Sequence, residues 1–220
     1  MLPDLSRRRL LQAVAAGAAA IPLLELTEGA AFAARSDVLP VDDRATLEAW
    51  SDTIVPGARR RPGDRAIAGA ARGPGAVQAG AWTLLNDPAV GIAPALPALS
   101  AGLNAEAVRQ AAAAGLVLDP TVPPLVALPF RHRTALAERL LGGTGKDQVV
   151  WYALAAIAML AFHTAAHLDT AAAVRAGHPG LAWLRFPQPD ADGLWRFEHF
   201  SYGRALARRH PRTTAGGHPA

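Results

Sequence analysis

The stretch Val149-Val150-Trp151-Tyr152-Ala153-Leu154-Ala155-Ala156-Ile157-Ala158-Met159-Leu160-Ala161-Phe162-His163-Thr164-Ala165-Ala166 decides the fold class. None of its residues is charged, and its apolar side chains fall all round a 3.6-residue turn instead of alternating as in a strand. With Lys146-Asp147 before it and Gly177 after it, the pattern predicts one helix over about residues 146–176. A membrane span is rejected because His163 and Thr164 interrupt the run, alanine dilutes it, and no second span accompanies it. A helix apolar on every side is then the central helix of a bundle.

Composition extends this to the whole chain. Of 220 residues, 51 are Ala and only 13 are aromatic, so the core must form by close approach of small-faced helices. Charged residues are 18 %, too few for a wholly disordered chain. The 18 Pro and 20 Gly are clustered, which excludes a collagen repeat and places long loops between helices. No run of alternating Val and Ile occurs. The expectation is all-α: a single helical-bundle domain with long Pro/Gly-rich loops and an irregular aromatic C-terminal segment.

The net charge is +4, carried by 21 Arg and a single Lys, Lys146. Most arginines lie within a few residues of Asp or Glu, so no cationic face for nucleic acid is expected. Cysteine is absent, which rules out disulfides, thiolate catalysis and Cys-ligated zinc.

The N-terminus reads as an address. Arg7 and Arg8 precede Leu10, Leu11 and a mildly apolar stretch to Leu24. Ala31 and Ala33 stand at the −3 and −1 positions of a cleavage site. This order is that of a twin-arginine signal peptide over residues 1–33. That route carries folded proteins, so the expected location is the cell envelope, periplasm or exterior. The twin-arginine translocase is an expected partner, and the membrane is met only during export or through an uncleaved signal.

Residues 34–212 form the expected helical domain, and 213–220 a disordered polar tail. Asp42 or Asp43 can cap a helix through Val55, with Leu47, Trp50 and Ile54 on one face. A loop over 58–73 holds Arg59-Arg60-Arg61 and is expected to be solvated. Further helices are expected at 75–85, 96–103, 105–114 (capped by Asn104) and 129–141.

Few residues suggest chemistry. His163 and His167, four apart on the expected central helix, could face one metal ion. A metalloprotease would want Glu beside the first His, and Thr164 stands there. The competing reading is two histidines hydrogen-bonded to loop carbonyls. No nucleophile elbow, dinucleotide fingerprint or phosphate-binding loop occurs. Catalytic and cofactor-binding residues are therefore expected to be none.

The C-terminal stretch is richer. Trp183, Phe186, Trp195, Phe197, Phe200 and Tyr202 are interleaved with Arg185, Arg196 and Arg204. Trp, Tyr and Arg dominate protein–protein hot spots, which makes this segment a candidate partner interface. The same rings could equally fold back as a lid over the helices.

Taken together, the twin-arginine leader, Asp52-Thr53-Ile54-Val55-Pro56-Gly57 and Gly73-Pro74-Gly75-Ala76 resemble the small subunit (subunit 3) of gluconate 2-dehydrogenase. Ala165-Ala166-His167-Leu168, Gly177-His178-Pro179-Gly180, 190–197 and Ser201-Tyr202-Gly203-Arg204 resemble an uncharacterised exported bacterial offshoot of it. The resemblance implies a non-catalytic accessory subunit of an FAD-dependent oxidoreductase of the glucose–methanol–choline type. FAD would then sit in the partner and no cofactor in this chain. From another class, the alternatives are a small exported metal-dependent enzyme using His163 and His167, or an envelope structural protein.

Overall fold

The computed structural model describes residues 42–144, 148–191 and 195. The export signal (Arg7, Arg8, Leu10, Leu11, Ala31, Ala33) and the interface candidates Arg196, Phe197, Phe200, Tyr202 and Arg204 lie outside the described residues. Among the described residues the protein is all-α, with helices and no strand.

Helix α1 (Asp43–Ile54) begins where Asp42 accepts a hydrogen bond from the Ala45 N–H at 2.9 Å. Such a cap stabilises a helix start by about 1 kcal/mol. All residues from Thr46 to Thr53 are buried, because α1 packs against five other helices: α2 (Ala81–Leu85), α3 (Leu96–Ala113), α4 (Pro124–Ala127), α5 (Phe130–Gly142) and α6 (Gln148–Thr164). The centre is therefore α1, although the apolar run had pointed to α6. The two meet through Trp50 and Trp151, whose ring centroids are 6.3 Å apart. Gly102 on α3 faces the same ring; a Cβ there would lie 3.2 Å from it.

Four expected boundaries are corrected. The 96–103 and 105–114 segments are one helix, and Asn104 caps nothing. Its amide bonds Thr46 Oγ1 (3.1 Å) and its Oδ1 accepts the Leu125 N–H (3.1 Å), which ties α3 to α1 and α4. The 75–85 segment is helical only from Ala81, because Gly80 stands at φ +88° just before it. The 129–141 helix starts after Pro129 and runs to Gly142.

The fourth correction is the largest. The expected helix over 146–176 stops at Thr164, where Ala165 turns left-handed at φ 48°. Helix α7 (Thr170–Arg175) restarts with Asp169 accepting the Ala172 N–H at 2.7 Å. Helix α8 (Pro179–Trp183) then returns across the end of α6. There Gly180 packs against the Phe162 carbonyl with no room for a side chain. Ala165, Ala173, Val174 and Leu181 form a small second core under this return. A left-handed Ala costs on the order of 1 kcal/mol, and full burial of Ala165 in that second core offsets it. No helix among the described residues is long and apolar enough to cross a membrane.

Candidate functional site

Two sequence-distant motifs meet at one end of α1. The Ala76 N–H donates to Val55 O (3.0 Å) and the Ala58 N–H to Gly73 O (2.7 Å), so main-chain hydrogen bonds bring the two ends of the 57–75 loop together. Gly57 and Gly75 touch main chain to main chain; a Cβ on Gly57 would lie 2.5 Å from the Gly75 nitrogen. The Gln78 amide finishes the clasp, donating to Ala58 O and accepting from the Gly75 N–H.

Buried charges anchor the loop from beneath. Asp52 is 1 % exposed and accepts the N–H groups of Gly57 (3.0 Å) and Ala68 (2.8 Å). Burial pushes its carboxyl above the usual range despite those bonds. Arg133, 4 % exposed, donates to four main-chain carbonyls: Ala66, Arg65, Val126 and Leu128. Burial brings its guanidinium down to about 10, with Asp52 opposing the shift, so it stays charged at neutral pH.

The arginine run is exposed, as expected, and Arg60 within it is also ion-paired. Arg60 donates to Glu48 at 2.5 Å and to Asp64 at 2.6 Å, and both carboxylates are buried. Those bonds raise its guanidinium pKa. For Asp64, burial acts upward, and the Arg60 and Ile67 hydrogen bonds overcome it, leaving the carboxyl below its ordinary value. This knot lines a cleft of about 750 Å³ with Arg44, Arg61 and Arg65. Cations and acids there largely neutralise one another. Arg59 and Arg61 are exposed.

The aromatic segment reaches the same loop. The Trp183 ring rests on Gly73, where a Cβ would lie 2.7–2.9 Å from three ring atoms. Trp183 is nevertheless 60 % exposed, with Leu184 at 44 % and Phe186 at 37 % beside it. Between the ring and the loop runs an open groove of about 340 Å³, lined by Arg59, Arg60, Arg72, Pro74 and Gln78. Trp195 is half-buried: its indole N–H donates to Pro187 O (2.8 Å) and its ring meets Phe186 edge-on at 5.9 Å. Trp183, not Trp195, is thus the open ring. Sequence reasoning placed the aromatic segment and the arginine loop apart; Gly73, small enough to sit under an indole, is the signal that links them.

The proposed His163/His167 pair is not held on one helix face, because α6 ends between them. His163 is exposed and its Nδ1 donates to Met159 O (2.9 Å). His167 instead faces Gly80 and His178, with 6.0 Å between the imidazole centroids. His178 was missed: the Leu181 N–H approaches its Nδ1 (3.4 Å), so Nε2 carries the proton and donates to Ala79 O (3.0 Å). Burial first, then His178, hold the His167 imidazole below its ordinary pKa, with Asp87 opposing. Among the described residues no group of three or more His, Asp or Glu is placed to hold a metal ion.

No curated protein and no solved structure matches this chain. Residues 41–220 match the model of a family of unknown function, DUF5987, and the protein that presents this Trp183-and-loop surface belongs to that family.

Proposed function

We propose that this protein is a non-catalytic accessory subunit of an exported FAD-dependent oxidoreductase, supplying the twin-arginine signal and docking the flavoprotein through the Trp183 surface. The observation that carries the reading is the open indole of Trp183 (60 % exposed) standing beside Leu184, Phe186 and the clasped 57–75 loop. Large apolar side chains left exposed in one contiguous patch favour a protein partner, and Trp beside Arg is the usual chemistry of such contacts. The leader and the resemblance to gluconate 2-dehydrogenase subunit 3 supply the class of partner.

The role of carrier is tested by export. The chain is co-expressed with an FAD-dependent oxidoreductase of the proposed partner class, and Arg7 and Arg8 are changed to Lys. The flavoprotein should then accumulate inside the cell; normal export without the arginine pair would end the carrier role.

A further inference from the structure

We infer that the groove between Trp183 and the 57–75 loop holds an extended acidic segment of the partner flavoprotein, its carboxylates on Arg59 and Arg72 and its apolar stem on the indole. This docking mode rests on the accessory role proposed above and names the chemistry of what is docked.

Charge decides the occupant. The groove is lined by three arginines and no acid. Arg60 is already committed to Glu48 and Asp64. Arg72 is exposed and has no ion-pair partner among the described residues, and Arg59 gives one bond, to Ala68 O at 3.2 Å. The Arg72 guanidinium and the terminal nitrogens of Arg59 are thus left to take carboxylates, and the open indole lining the same groove suits an aliphatic or proline stem. Arg59 is also held in place, its stem lying over Gly69, which has φ +72°.

The chain's own C-terminal segment fits less well. Residues 196–220 bring Arg196, Arg204, Arg208, Arg209 and Arg212 against a single acid, Glu198. A second copy of a chain with net charge +4 offers no acidic excess either. The groove's volume of about 340 Å³, room for a few side chains, suits an extended segment better than a helix face.

The test is co-purification of the full chain with the co-expressed flavoprotein, comparing Arg72→Glu, the double variant Arg59→Glu/Arg72→Glu, and Arg61→Glu. Arg61 is exposed but lines the other cleft, so it reports net charge alone. Among the described residues Arg72 makes no hydrogen bond or ion pair, so its variant should keep the helical spectrum. The inference predicts weakening of about tenfold or more for the double variant, a smaller loss for Arg72→Glu, little change for Arg61→Glu, and binding that falls as salt rises. A double variant that binds like wild type overturns the inference and leaves the accessory role standing. Equal losses for Arg61→Glu and Arg72→Glu also overturn it. A wild-type chain that forms no complex removes the accessory role and this inference with it.

Discussion

The indole of Trp183 rests on the α-carbon of Gly73, so the last described helix and the arginine loop share one surface although 110 residues separate them in the chain. The contact needs a residue with no side chain beneath the ring. Gly73→Ala should swing the ring outward at a cost of about 1 kcal/mol or less, because a mostly exposed side chain finds another rotamer cheaply. The fluorescence difference between this variant and its Trp183→Phe derivative should shift to the red, with the urea midpoint almost unchanged.

Gly180 gives the opposite outcome. Its neighbour is the main-chain carbonyl of Phe162, which cannot move aside as a side-chain end can. Gly180→Ala must lift α8 off α6, and overpacking of this kind costs roughly 2 kcal/mol. Denaturant unfolding should show that loss where Gly73→Ala does not.

Arg133 is the tie between the 57–75 loop and helices α4 and α5. Lysine at this site keeps a charge but cannot reach four divergent carbonyls from one ammonium. Each buried acceptor left without its donor costs about 1–3 kcal/mol, so Arg133→Lys should lose roughly 3 kcal/mol or more in equilibrium unfolding. A loss within experimental error would mean that water replaces the guanidinium freely.

These three sites show what the chain's sequence discloses about its fold. Helix α1 was legible because Asp42 caps it and Leu47, Trp50 and Ile54 recur at helical spacing, all local facts. The end of α6 was not, because alanine favours helix and what halts it is the burial of Ala165 under the return of α8. Asn104 looked like a cap for a similar reason: its partners, Thr46 and Leu125, are distant in sequence. At the site, Trp183 and Arg59 were visible as residue types, whereas their meeting through Gly73 depends on how α7 and α8 fold back. The shared helix face expected of His163 and His167 is absent because it presumed one unbroken helix, and the helix ends at Thr164.

The His167 imidazole makes stability depend on pH. Its ordinary pKa is 6.5, and the fold lowers it. Between the two values the unfolded chain binds a proton that the folded chain does not. Stability therefore falls as pH drops below about 6.5 and levels off beneath the folded value. Protonation there also sets a cation beside His178, with Asp87 giving partial relief. Melting temperatures between about pH 7 and pH 5 should decline for wild type and flatten for His167→Gln.

The most direct measurement is size-exclusion chromatography of the chain co-expressed with an FAD-dependent oxidoreductase of the proposed partner class, for wild type and for Trp183→Ala. Wild type should elute with the flavoprotein. Truncating a central interface Trp costs about 2 kcal/mol or more, roughly thirtyfold in affinity, so Trp183→Ala should elute alone at micromolar concentration with its helical spectrum unchanged. A wild-type chain that elutes alone, or a Trp183→Ala chain that still travels with the flavoprotein, would contradict the account.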